Sequence, residues 1–296
     1  MAHKQSLLES ITTVLSGKSA SITRLQWVRN LSGGDINQAA QLHGGDRNWF
    51  LKYHEHAPTG MFEAEAQALT EISSQEQIMV PAPIAVGQDG NTSWLLLEYL
   101  ELTSRGPASQ LGEQLAALHS ISFDQYGWSR DNYIGSTPQL NTVSESWAEY
   151  WRDRRLKPQL DMAQAAGFSS RLLVQGKRLL ESMDALMKGH QPKASLLHGD
   201  LWAGNKAYTH DGQPVIFDPA SYYGDRETDI AMTELFGGFE QDFYSAYRAH
   251  YPLPDSYPLR RDLYNLYHML NHLNLFGPGY LSRCENIIDG LLAQVR

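Results

Sequence analysis

The 296-residue sequence predicts an α+β chain in two lobes: a small, β-rich lobe over residues 1–100 and a larger, mostly helical lobe over 101–296. Two observations carry this. Strand and turn signals crowd the first hundred residues, and helical periodicity takes over beyond residue 105. The change-over follows one apolar run, "TSWLLLEYL" (92–100), which places the joint near 99–105. A chain of this length is long enough for two lobes, each with a core of its own.

In the first lobe, "LSGGDINQAAQL" (31–42), "GGDRN" (44–48) and "WFLKY" (49–53) read as two strands joined by a Gly-rich turn. "MFEAEAQALTEI" (61–72) has helical period. Phe62, Glu65, Leu69 and Ile72 share its apolar face, and Glu63 points away. "VPAPIAVG" (80–87) and "TSWLLLEYL" form a second hairpin across "QDGN". In the second lobe, Leu111, Leu115 and Leu118 mark one helix. Leu172, Leu179, Met183 and Leu186 mark another, and Leu263, Leu266, Leu270 and Leu273 a third.

Composition narrows the class. The chain is 42% hydrophobic and 19% charged, with no apolar run long enough to span a membrane. The N-terminus has no secretory h-region, and the one cysteine, Cys284, excludes an internal disulfide. Both point to the cytoplasm. A net charge of −9 carries no footprint for nucleic acid. "SGKS" (16–19) is not a P-loop, because Thr12 stands where the leading glycine must be. His54 and His56 lie in a loop facing solvent.

The chemistry concentrates in "SLLHGDLWAGNKAYTHDGQPVIFDPASYYGD" (195–225). "KAY" and "VIF" flank Asp211-Gly212, a two-residue hairpin signal whose register sets Asn205 opposite Asp218 unless a bulge shifts it. A carboxylate and an amide oxygen suit Mg²⁺, which keeps several waters and shares phosphate oxygens. Asp200, at the head of the same loop, supplies a carboxylate to accept the proton of an attacking hydroxyl. Phosphoryl transfer also needs a phosphate anchor. Lys52 ends a strand, and Glu65, a carboxylate on a buried face, needs a cation as partner. Gly33 and Gly34 in "SGGDIN" permit a tight turn around phosphates. By sequence alone Glu98, Tyr99 and Leu100 end an apolar strand, whose main-chain groups at the lobe joint could hydrogen-bond an adenine edge.

Lys52, Glu65, "HGDLWAGN" and "FDPASYYGD" resemble the protein-kinase-like fold in its small-molecule branch, with the aminoglycoside phosphotransferases. With "IFDPASYYGDRETDIAM" (216–232), "FGGF" (236–239) and "LYNLYHMLNHLNLFG" (263–277), the chain is more narrowly similar to the fructosamine kinase (ketosamine-3-kinase) family. The resemblance implies a two-lobe kinase-like fold and ATP-dependent phosphorylation of the sugar 3-hydroxyl of ketoamines, leading to release of the amine. It implies Asp200 as proton acceptor, Asn205 and Asp218 as Mg²⁺ ligands, Lys52 as phosphate anchor with Glu65 as its ion-pair partner, and Glu98–Leu100 as the adenine hinge. Gly199 departs from the Arg of protein kinases, so an activation-loop phosphate has no partner there and a phospho-switch of this kind is not expected. Other alcohol acceptors, aminoglycoside or choline-like, and a non-catalytic nucleotide-binding protein are the rival readings. For the acceptor, Trp202 serves either as a sugar contact or as loop packing. Asp225 or Glu227 draws the substrate amine, and Asn271 and His272 belong to a family-like helix motif. Asp229 and His119 read as structural.

Overall fold

The computed structural model describes residues 2–18, 24–31 and 36–295. The proposed phosphate turn, with Gly33 and Gly34, lies outside the described residues. The chain divides into two compact units, one of residues 1–106 with 207–217, the other of 107–206 with 218–296. The single break expected near residue 100 is therefore replaced by an excursion, in which the 207–217 segment returns to the first unit.

The first unit is built on a five-stranded antiparallel sheet. Its strands are β1 (Gln26–Leu31), β2 (Gln38–Gly44), β3 (Arg47–Glu55), β4 (Pro83–Asp89) and β5 (Thr92–Glu98), in the order β1-β2-β3-β5-β4. Side chains alternate along β3, so Trp49, Leu51 and Tyr53 share one face and Lys52 takes the other. Helix α1 (Ala2–Lys18), which our reading of the sequence does not predict, supplies Leu7, Ile11 and Leu15 to the core on the Trp49 face, with Leu42, Leu51, Trp94 and Leu96. Helix α2 (Met61–Ser74) buries Phe62, Glu65, Leu69 and Ile72 and leaves Glu63 exposed, as its periodicity requires.

The strands Lys206–Thr209 and Pro214–Ile216 form the Asp-Gly hairpin, but not in the expected register. Gly212 donates its N–H to the Thr209 carbonyl (3.0 Å), and Thr209 donates to the Gln213 carbonyl (2.9 Å). Gly212 takes φ +90°, the left-handed residue that closes a three-residue loop with a bulge. One extra residue in the loop moves the register by one, so the hairpin does not set Asn205 opposite Asp218.

The second unit is helical. Ala108–His119 packs on Gln241–His250 so closely that a Cβ on Gly112 would stand 2.3 Å from the Phe243 carbonyl oxygen. The 20-residue helix Tyr257–Phe276 buries residues all round its circumference, packing against Glu227–Leu235 on one side and Leu281–Gln294 on another. The long helix read through Leu172 and Leu186 is instead two, Ser170–Glu181 and Met183–Leu186, separated at Ser182. Burial pushes the Cys284 thiol up to about 12. We therefore expect no reaction with a thiol reagent until the chain unfolds; rapid labelling of the native protein would contradict this. Among the described residues, no helix is long and apolar enough to cross a membrane.

Candidate active site

In the first unit, Lys52 Nζ lies 2.7 and 2.8 Å from the two Glu65 carboxylate oxygens. Both side chains are at least nine-tenths buried. Lys52 reaches this position because it alternates to the sheet face that α2 covers, and Glu65 because it shares the α2 apolar stripe. A buried pair of this kind contributes little net stability but fixes the ammonium in place. At the end of β5, the Glu98 N–H is committed to the Ala82 carbonyl (2.9 Å) and its carboxylate accepts from Ala82 N–H (3.3 Å). Glu98 pairs with Trp49, and its side chain lies on the face away from Lys52, in a groove of about 530 Å³ shared with Arg47, Trp49 and Tyr99. The expected adenine contact thus loses one donor, because the amide of Glu98 is taken by Ala82.

In the second unit, the loop of Asp200 is held by a carboxylate buried beneath it. Asp229 accepts from the N–H groups of His198 (2.7 Å) and Gly199 (2.8 Å), and from His119 Nε2 (3.1 Å). His119 Nδ1 lies 2.8 Å from the Tyr247 hydroxyl. A carboxylate can only accept, so Nε2 carries the proton. Burial would raise the Asp229 pKa; the hydrogen bond and charge of His119, with His198 and the Gly199 amide, outweigh it and hold the carboxyl below its usual range.

The segments that carry Asp200 and Asp218 are joined by a pairing that sequence reading missed. Ser195 pairs with Gly224 and Leu196 with Tyr223. Leu197 N–H then bonds the Tyr222 carbonyl (3.1 Å), and Ala220 N–H the His198 carbonyl (2.9 Å). Asp200 and Asp218 each lie two residues beyond that last bond. Gly199 is required here: its φ is +83°, and a Cβ would stand 2.1 Å from the Ala220 carbonyl oxygen. No arginine fits where protein kinases carry one. Asp218 itself has φ +59°, a left-handed conformation that Asp tolerates better than most residues.

The donor set fits a magnesium ion. Asn205 is buried, and its Nδ2 donates to the Asp200 carbonyl oxygen (2.8 Å) and, at 3.3 Å, to Oδ2 of the Asp200 carboxylate. With the nitrogen committed, Oδ1 is the atom that can ligate a cation. A half-buried Asp218 carboxylate and one amide oxygen leave room for water and phosphate, as Mg²⁺ demands and Zn²⁺ does not.

Trp202 is exposed, and its ring covers Gly204, where a Cβ would lie 2.3 Å from the indole. It begins an aromatic row in the same unit: Trp202 to Phe236 (6.3 Å between centroids), Phe236 to His272 (5.0 Å), and His272 to Phe276 (5.4 Å) and Tyr280 (5.2 Å). His272 therefore joins Trp202. Asp225 and Asn271 do not. Asp225 is 1% exposed and bonded to His190 Nε2 (2.5 Å), the Tyr264 hydroxyl (2.5 Å) and Glu227 N–H (3.0 Å). Glu227 is clamped by Arg260 at 2.8 Å on both oxygens. His190, Asp225 and Glu227 have ligand-type atoms within 4.8 Å of one another, but all four carboxylate oxygens are already hydrogen-bonded, so the cluster is a structural brace. Asn271 accepts from Gln159 (3.2 Å) inside the core. Asp225 and Glu227 are therefore not placed to draw a substrate amine, because burial and internal partners have taken their carboxylate oxygens.

A strand-borne lysine held by a helix glutamate, together with a loop carrying a carboxylate, an oriented amide and a second carboxylate, defines a kinase-like phosphotransferase. The fold agrees: an aminoglycoside phosphotransferase structure superposes with a TM-score of 0.59 over 96% of this chain and 98% of that one, at 14% identity. A family model described as fructosamine kinase matches residues 7–294, and the chain belongs to that family. A protein from Synechocystis sp. named a probable ketoamine kinase is 41% identical over 289 residues, 96% of each chain. A chloroplastic protein-ribulosamine 3-kinase from Oryza sativa subsp. indica is 40% identical over 93% of this chain and 81% of its own. The crystal structure of a Haemophilus somnus protein assigned as a fructosamine-3-kinase superposes with a TM-score of 0.88 at 29% identity, covering 99% of this chain and all of that one.

Proposed function

We propose that the chain phosphorylates the sugar 3-hydroxyl of ketoamines with ATP, using Mg²⁺. The observation that carries the reading is the Asn205 amide held on the Asp200 loop, in a member of the fructosamine kinase family. The acceptor hydroxyl oxygen attacks the γ-phosphorus as the bond to ADP breaks, and its proton passes to the Asp200 carboxylate. Asn205 Oδ1 and the Asp218 carboxylate would hold Mg²⁺, which supplies charge neutralisation at the phosphate oxygens when bound. Lys52, fixed by Glu65, offsets phosphate charge. The Asp229 brace keeps Asp200 from wandering, so most of the acceleration is positional and electrostatic.

Incubation with Mg-ATP and a ribulosamine or fructosamine of lysine should add one phosphoryl group to the acceptor, read by mass. Phosphorylation of an aminoglycoside or choline, with none on any ketoamine, would transfer the reading to another alcohol. Trp202 with its aromatic row presents an apolar face of the kind sugar C–H groups pack against. Trp202→Ala should raise KM for the ketoamine about tenfold and leave KM for ATP within about twofold; equal effects on both would remove Trp202 from the acceptor site.

A further inference from the structure

We propose that Gln139 is a positioning residue for the phosphotransfer centre, a proposal that rests on the kinase reading above. The short hairpin Asn132–Ile134 and Thr137–Gln139 lies behind the Asp218 segment in the second unit. Gln139 is 1% exposed. Its Nε2 donates to the Ala220 carbonyl (3.0 Å) and to Asn132 Oδ1 (2.8 Å), while its Oε1 accepts from the Tyr267 hydroxyl (2.8 Å). Asn132 Nδ2 donates in turn to the Ser221 carbonyl (2.8 Å).

Ala220 is the residue where the two halves of the centre meet. Its N–H binds the His198 carbonyl, and its own carbonyl lies against Gly199, one residue before Asp200 and two after Asp218. Gln139 therefore holds the Ala220–Ser221 peptide, the neighbour of the Pro219–Ala220 peptide whose N–H binds His198, between the two segments that carry the carboxylates. A leucine would fill the same space but leave the buried Ala220 carbonyl and Tyr267 hydroxyl without this partner. What the amide adds is direction, since hydrogen bonds to a carbonyl weaken steeply off line.

The grip is held from behind. Asn141 Nδ2 donates to the same Asn132 oxygen (2.8 Å), and Asn141 Oδ1 accepts from Arg155 (2.8 Å). The Arg155 guanidinium is fully buried, 4.0 Å from the centroid of the Tyr222 ring. The network thus clamps residues 220–222 along one side, and the pairing with residues 195–198 clamps them along the other.

The test compares Gln139→Leu and Tyr267→Phe with the unaltered chain. Mn²⁺, visible by electron paramagnetic resonance, is titrated in the presence of a non-hydrolysable ATP analogue, and kcat and the ketoamine KM are measured alongside. Gln139→Leu should weaken Mn²⁺ binding and lower kcat by about tenfold each, with the acceptor KM within about twofold. Tyr267→Phe removes only the hydroxyl that orients the amide and should move Mn²⁺ affinity and kcat the same way by about threefold. It decides the matter if the leucine variant does not fold. Unchanged Mn²⁺ affinity and kcat in folded variants, or an effect confined to the acceptor KM, would overturn the positioning role. Failure of the unaltered chain to bind Mn²⁺ with nucleotide would instead overturn the kinase reading, and this proposal with it.

Discussion

Asp200→Asn should lower kcat by about 10²–10⁴-fold and leave nucleotide affinity within about twofold. The asparagine keeps the size and one acceptor oxygen, so Asn205 Nδ2 retains a partner near the 3.3 Å contact as well as the Asp200 main-chain oxygen at 2.8 Å. What it loses is the ability to take a proton at neutral pH. The loop should stay in place, because its anchors are backbone N–H groups of His198 and Gly199 on Asp229, which the substitution does not touch. Steady-state ADP release and a nucleotide-binding titration read the two halves of the expectation. ADP release equal to that of the unaltered chain would dismiss Asp200 as the base.

Asp229→Ala should be the most damaging single change to the fold of the second unit. It leaves three buried donors, the His198 and Gly199 amides and His119 Nε2, without their acceptor. Stranded buried donors cost about 1–3 kcal/mol each, and effects within one network do not add fully, so about 3–5 kcal/mol is expected from urea unfolding. A loss below about 1 kcal/mol would mean the loop is held by something else. The same carboxylate predicts a pH dependence. Its folded-state pKa is depressed, so its contribution is present above the ordinary carboxylate pKa of 3.8 and is lost as pH falls through the lower folded value. Between pH 5 and pH 3 the unaltered chain should lose more stability than Asp229→Asn, which carries no titrating group there; parallel curves would refute the linkage.

The reading from sequence succeeded where a local rule governs. Helical period placed Glu65 on the buried stripe of α2, and a buried carboxylate needs a cation, so its ion pair with Lys52 was legible before any coordinates. The His-Gly-Asp loop with Asn205 and Asp218 was legible as a set of types and spacings. Asp225 and Asn271 show where such reasoning stops: a polar residue near a motif looks the same whether it faces a substrate or a neighbour such as Tyr264 or Gln159. Helix α1 carried a signal that could have been used, with Leu7, Ile11 and Leu15 spaced by four.

By itself the amino-acid order determined the family pattern, the two-part α+β character and the candidate phosphotransfer groups, because these depend on period and on short spacings. Only the tertiary structure decided how the segments that carry Asp200 and Asp218 are paired. The Asp-Gly hairpin closes with a bulge and moves the register by one, while a pairing between 195–198 and 220–224 joins the two loop segments. The physical reason is that strand register at such a junction is set by non-local hydrogen bonds, here those of Ala220, Gly199 and Gln139, and no window along the chain contains them all.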